Sequence, residues 1–283
     1  MNDTQHVLCL NCKDQPGIVA AVATTLRDQN CNIEESAQFH DPFSEQFFMR
    51  VVFTPLSDEA KYNFAQNFTE QAQKLSISWK IHDLVQPVKT LLLVSKADHC
   101  LNDLLYRWRT HYLNIDITGI VSNHDRHRKL AEDRDLTFHH LPVNPENKAE
   151  QEAAIQKLIE DKNAELIVLA RYMQILSPEM CEKYTGRIIN IHHSFLPGFK
   201  GAKPYHQAYE RGVKIIGATA HFATGDLDEG PIIEQETVRI THADTPKRLQ
   251  LIGRDTESKV LARAIALYTE RRIFLHGQRT IVL

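Results

Sequence analysis

Long apolar runs are missing from this chain of 283 residues. No stretch reaches the roughly 18 consecutive apolar residues that read as a membrane-crossing helix, so a spanning segment is excluded on sequence grounds. The start, MNDTQHVLCLNCKDQP, lacks a basic opening followed by a sustained apolar stretch, so no secretory signal is expected. An excess of one charge sign is missing too. The formal net charge is −3, which argues against a bulk electrostatic grip on nucleic acid or an anionic membrane. Cysteine is sparse, and its five positions are odd in number and scattered, which fits a reducing compartment better than a disulfide framework. There is no internal repeat and no low-complexity tract. These absences point to a cytoplasmic chain with neither nucleic acid nor membrane as a partner.

What is present is enough for two folded domains. Residues 1–85 read as β-α-β-β-α-β. His6–Cys12 is a strand, Pro16–Asp28 a helix, and Asn32–Phe39 and Gln46–Phe53 are strands. Asp58–Lys74 is a polar helix and Ser76–His82 a final strand. A linker with one proline, Asp83–Val88, follows. From there the pattern changes to alternating strand and helix. Strands are expected at Thr90–Val94, Ile115–Val121, Leu136–Leu141, Leu166–Leu169, Arg187–Ile191, Lys214–Phe222 and Ile232–Val238. Helices are expected at Leu101–Arg109, Lys148–Asp161 and Thr245–Glu270. The fold class is α/β: a ferredoxin-like unit, then a doubly wound, Rossmann-like domain over 86–283.

The turn Asp14-Gln15-Pro16-Gly17 opens the first helix. Asp14 is placed to cap free N–H groups there, and Gly17 lets the backbone approach a ligand. Asn30 and Asn32 flank Cys31 before the next strand. D-x-P-G-I-V, a helix, then N-I resembles an ACT domain over about residues 5–85. That resemblance implies assembly into a homo-oligomer and a small amino-acid regulator near Asp14, Gly17 and Asn32. The plain alternative is a tight turn and nothing more. Cys9 and Cys12 form a C-x-x-C pair, but positions i and i+3 of a strand face opposite ways, and no second pair or nearby histidine completes a metal set.

The most informative stretch is Ile188–Pro204, IINIHHSFLPGFKGAKP. Asn190 and His192 stand two apart at the end of a strand, so they share a face where open α/β sheets bind ligands. An amide N–H and a protonated imidazole are the donors that a developing oxyanion requires. Further on, THFATGDLDEGP carries His221, Asp226 and Asp228. A carboxylate here can pair with His192 and can orient or deprotonate a water. A third stretch, LARYMQILSP, follows a buried strand and holds Met173, Gln174, Ile175 and Leu176, for which core packing is the competing explanation.

Asn190-x-His192-x-Ser194-x-Leu196-Pro197, with Leu227-Asp228-x-Gly230-Pro231 after it, resembles the folate-dependent formyltransferase family over about residues 88–283, most closely its deformylase branch. The resemblance implies a catalytic trio of Asn190, His192 and Asp228. Asp226 is the near alternative to Asp228. It also implies a pterin pocket lined by Met173, Gln174, Ile175 and Leu176. The implied reaction is hydrolysis of 10-formyltetrahydrofolate to formate and tetrahydrofolate, which supplies formate for purine synthesis and balances folate pools. No metal or cofactor is implied, the folate being the substrate.

Some relatives pass the formyl group to an amine. Their Gly- and Ser-rich phosphate turn reads here Ser95-Lys96-Ala97-Asp98-His99-Cys100-Leu101, without glycine and with an aspartate where an anion would bind. The chain also ends soon after its last helical region, where the tRNA-directed branch carries a further domain. Water is therefore the expected acceptor. A transferase with another amine acceptor and a sensor built on an inactive fold are the alternatives, and the intact trio speaks against the sensor. No His-Glu-x-x-His or equivalent set supports a metal among the 15 histidines, and the adjacent pairs His139-His140 and His192-His193 are expected to point apart on strands. His221 reads as a supporting group or as a core histidine. Lys200 and Lys203 read as contacts to a folate tail or as solvated lysines.

Overall fold

The computed structural model describes residues 5–194 and 204–283. Phe195, Leu196, Pro197, Lys200 and Lys203 lie outside the described residues. The chain divides into two compact units.

The first unit contains β1 (His6–Lys13), α1 (Ile18–Asp28), β2 (Cys31–Asp41), β3 (Gln46–Pro55), α2 (Asp58–Lys74) and β4 (Ser78–Asp83). Its sheet has the order β2-β3-β1-β4, every neighbour antiparallel, which is the split-βαβ arrangement. Period-2 alternation decides which side of β1 meets the helices. Leu8, Leu10 and Cys12 join Met49, Val51 and Phe53 of β3 in a core closed by Ile18, Val22 and Leu26 of α1 and Phe64, Phe68 and Ala72 of α2. Cys9, on the other side of β1, donates from Sγ to the carbonyl of Arg271 at 3.3 Å.

That carbonyl marks a departure from the expected division at residue 86. Glu270–Phe274 and Ile281–Leu283 belong to the first unit. Arg50, 2% exposed, explains why the chain returns. Its Nη1 pairs with Glu35 at 3.0 Å and its Nε donates to the carbonyl of Glu270 at 3.0 Å. A buried guanidinium is tolerated only when partnered in this way.

The second unit contains β5 (Val88–Val94), α3 (His99–Arg109), β6 (Ile115–Ser122), α4 (Arg128–Glu132), β7 (Phe138–His140), α5 (Lys148–Asp161), β8 (Leu166–Leu169), α6 (Pro178–Lys183), β9 (Ile188–His192), α7 (Pro204–Glu210), β10 (Ile215–Phe222), β11 (Ile232–Arg239) and α8 (Pro246–Thr269). The sheet order is β11-β10-β9-β8-β5-β6-β7. Strands β5 to β9 pair in parallel, while β10 and β11 are antiparallel. Parallel strands covered on both faces read as continuous apolar runs, which is why β5 and β8 are buried nearly throughout. On one face Leu91, Leu93, Ile167, Leu169 and Ile188 pack with α5 and α6. Helix α8 packs on β9, β10 and β11 and beside α3. The chain leaves β5 toward β6 on one side and later returns to its other side as β8. Open α/β sheets bind ligands outside the carboxyl ends of strands at such a reversal.

Besides the 3₁₀ turn Asp125–His127, five described helices and strands were not anticipated from sequence. Helices α4, α6 and α7 are at most 7 residues long, too short for a periodic signal. Strands β12 (Ile273–His276) and β13 (Arg279–Val282) form a hairpin whose turn starts at Gly277, φ 59°. Its signal was legible, since a Gly-x pair there separates two short β-prone runs. No described helix is long and apolar enough to cross a membrane.

Candidate active site

Asn190 and His192 stand at the carboxyl end of β9, and both line a cavity of about 210 Å³. Antiparallel pairing sets His221 of β10 opposite Asn190 and Thr219 opposite His192. Asp228 arrives from the loop between β10 and β11. Its Oδ2 lies 3.1 Å from Nδ1 of His192, and its Oδ1 accepts from Nδ2 of Asn190 at 3.4 Å. Nδ2 of Asn190 also lies 3.2 Å from Nε2 of His221. Nδ1 of His221 lies 2.9 Å from the carbonyl of Phe222, so a neutral His221 donates there and accepts from Asn190 at Nε2.

These contacts fix the charge of Asp228. Burial disfavours its carboxylate, but the contacts of His192 and His221 outweigh burial, the His192 Nδ1–H bond being the direct one, and hold the carboxyl well below the usual carboxylate range. Asp228 is a fixed anion at neutral pH. His192 uses Nδ1 on that anion, and its Nε2 is buried without a partner.

The loop that carries Asp228 is constrained by two local features. Asp228 has φ 57°, a left-handed conformation that aspartate tolerates better than most residues. Two residues on, a Cβ on Gly230 would lie 1.8 Å from the carbonyl oxygen of Phe222, so only glycine fits. Asp226 also lines the cavity, but it is exposed and no contact joins it to His192. The geometry selects Asp228 as the partner of His192.

The opposite wall is the segment after β8. Met173 and Ile175 are 60% and 56% exposed, and Leu227 across the cavity is 56% exposed. Large apolar side chains held open to a cavity offer a face for a flat aromatic ring. Gln174 lines the same wall, whereas Leu176 contributes to the core as well as to the lining. The two sequence explanations for this stretch therefore divide between its residues. Ser95, at the end of β5, ties the wall down. Its Oγ accepts from the Met173 N–H at 2.9 Å and donates to Oδ1 of Asn123 at 2.7 Å. Ser177 caps α6 by accepting from the Met180 N–H at 3.2 Å.

Two expectations need correction. His192 and His193 do not point apart. Strand β9 ends at His192, so alternation no longer governs His193, and the two rings stack with centroids 4.5 Å apart. Nor does Asp14 cap α1. Gly17 is the N-cap residue, at φ 98°, with no side-chain cap bond, while the exposed Asp14 lies 3.7 Å from His40. Asn32 is exposed on β2 opposite Thr54.

Sequence reasoning missed Arg171 and His193, which line the cavity, and Glu257, which lies behind Arg171. Among the described residues, His99, Cys100 and Glu257 form a group that could hold a metal ion. Its chemistry disfavours a cation. Burial pushes the Cys100 thiol far above its ordinary range, and the Arg171 guanidinium stands 3.3 Å from Glu257.

Residues 88–265 match the family described as Formyl transferase. A formyltetrahydrofolate deformylase from Corynebacterium sp. (strain P-1) is 46% identical over 280 residues, 99% of this chain and 98% of its own length. One from Bacillus subtilis (strain 168) is 44% identical and covers 99% of this chain and 94% of its own. The crystal structure of a formyltetrahydrofolate deformylase from Burkholderia mallei is 49% identical, covers 99% of both chains and superposes with a TM-score of 0.95.

Proposed function

The chain belongs to the formyl transferase family, on its formyltetrahydrofolate deformylase branch, and from that premise we propose how its own residues hydrolyse 10-formyltetrahydrofolate to formate and tetrahydrofolate. One observation carries the reading. A fixed carboxylate, an imidazole and an amide donor converge at one end of a cavity whose other wall is exposed apolar side chains.

The pterin lies against Met173, Ile175 and Leu227, with Gln174, Leu176 and Asp226 completing its surroundings. This brings the formyl group to Asn190. Water adds to the formyl carbon, and the carbonyl π pair moves to oxygen. Asn190 turns one Nδ2–H from its 3.4 Å contact with Asp228 to that oxyanion as it forms, and Nε2–H of protonated His192 donates beside it. Such preorganised donors are worth about 3–4 kcal/mol each when removed singly. Asp228 holds His192 through Nδ1 and accepts a hydrogen bond from the water. Its low basicity makes it a holder of water more than a final resting place for a proton. When the intermediate collapses, the C–N10 bond breaks and N10 takes the proton that the attacking water gave up. Formate leaves, and the water's second proton goes to solvent. This mechanism invokes no metal or cofactor.

Water is the acceptor on a structural ground as well. The Ser95 hydroxyl at the β5 turn is already spent on Met173 and Asn123, which leaves no hydroxyl there for a phosphate-bearing amine. The first unit is a regulatory and assembly domain. Its exposed turn at Asp14 and Gly17, with Asn32 nearby in sequence, is the site for a small amino acid, and the chain works as a cytoplasmic homo-oligomer. The formate released feeds purine synthesis and the folate pool is rebalanced.

The test is incubation of the purified protein with 10-formyltetrahydrofolate and no amine. Formate and tetrahydrofolate should appear in equal amounts. Release that depends on an added amine would replace this reading with a transferase.

A further inference from the structure

Behind the reacting groups lies a buried ionic cluster that the mechanism above does not use. Glu257, on α8, has a side chain 2% exposed. Its Oε2 lies 2.7 Å from Nε2 of His99 and 3.3 Å from Nε of Arg171, the second contact an ion pair without hydrogen-bond alignment. Its Oε1 accepts from the Tyr205 hydroxyl at 2.9 Å. Arg171 sits just past β8 in a left-handed conformation, φ 64°. From there its Nη1 reaches Nδ1 of His193 at 3.4 Å. A guanidinium only donates, so Nδ1 of His193 is the bare nitrogen and the ring proton is on Nε2. His193 in turn stacks on His192, centroids 4.5 Å apart and planes 30° apart. Two imidazolium charges at that separation repel, so the stack favours one proton over two.

We propose that Arg171 and Glu257 are positioning residues for His192 that act through His193, holding the second imidazole neutral as its Nε2–H tautomer so that the charge of the stacked pair stays on His192 beside Asp228. This rests on the reading of His192 as the charged oxyanion donor. The charged and titratable groups around His193 come from five elements. They are His192 at the end of β9, Arg171 after β8, Glu257 on α8, Tyr205 on α7 and Asp228 in the β10–β11 loop. Burial, then His192 and Arg171, push the His193 imidazole down to about 4, against the pull of Glu257 and Asp228. Glu257 anchors Arg171 and offsets its charge, with His99 and Tyr205 filling the remaining carboxylate positions.

The direct test is ¹⁵N imidazole NMR of the wild-type protein, which is read independently of turnover. His193 should show the neutral Nε2–H pattern at neutral pH and should not titrate above about pH 5. Arg171→Gln should raise the His193 titration by about one pH unit and move the acid limb of kcat up with it, about a tenfold loss on that limb. KM should change less than about threefold. Arg171→Lys, which keeps the charge, should restore much of the limb. In a His193→Gln background the group that titrates is gone, so Arg171→Gln should no longer move the limb. A charged or Nδ1–H His193 in the wild type would overturn the proposal, and so would an equal shift in both backgrounds. If His193 behaves as expected while His192→Asn retains full turnover, the site reading fails and the positioning of His193 stands.

Discussion

Asp228 meets His192 through a single oxygen 3.1 Å from Nδ1, while its other oxygen accepts from Asn190 at 3.4 Å. One carboxylate thus holds both Asn190 and His192, and it does so from a residue whose backbone is left-handed. Asp228→Asn keeps the shape and removes the charge. An amide can present N–H to Nδ1 and so invert the tautomer of His192. The expected loss in kcat is about 10²–10⁴-fold, with KM changed less than about threefold. Steady-state formate release checks this, and near-normal kcat would remove Asp228 from the chemistry.

Gly230 is the tightest point of the Asp228 loop. A methyl group there meets backbone, not a movable side chain. Gly230→Ala should displace the loop, costing about 2–4 kcal/mol of stability in urea denaturation, with activity lost in step. An unchanged urea midpoint would show that the loop yields where the geometry says it does not.

Ser95 acts on the binding wall from a distance. Ser95→Ala leaves the Met173 N–H without its acceptor, at a cost of about 1–2 kcal/mol. A looser wall weakens substrate and transition state alike, so KM should rise about three- to tenfold while kcat holds. A fall in kcat at constant KM would instead place Ser95 in the reaction.

The depressed His193 has a signature in stability as well as in rate. Its folded value, about 4, lies below the ordinary 6.5, so the unfolded chain takes up the proton first as pH falls. The contribution is intact above pH 6.5 and is lost between there and about 4, at most about 3 kcal/mol in all. His6 and His139 are lowered mainly by burial and add to the same slope. The comparison with His193→Gln isolates one group: urea titrations from neutral to acid pH should show the wild type losing more stability than the variant. Parallel curves would mean that His193 binds its proton equally in both states.

Much of this was legible in the sequence, for identifiable reasons. Helix α5 and strand β8 begin and end where the sequence places them, β8 because it is an unbroken apolar run. Asn190 and His192 were paired by alternation alone. The carboxylate partner of His192 was legible through motif spacing, whereas its left-handed turn was not. Arg171, Glu257 and His99 were invisible, since they come together from β8, α8 and α3, and no local spacing relates them. Within α2 the buried stripe follows Phe64, Phe68 and Ala72, which leaves Tyr62 64% exposed.

The return of Glu270–Phe274 to the first unit has a consequence for synthesis. That unit is built from stretches far apart in the sequence, so a ribosome that has finished β4 has not delivered the Glu270 and Arg271 carbonyls that Arg50 and Cys9 meet. At about 5–20 residues per second, Pro87–Thr269 takes roughly ten to forty seconds to follow. Through that interval the guanidinium of Arg50 waits with water or Glu35 alone, and the nascent domain is held short of its final stability. The residues made after Thr269 act as the clasp.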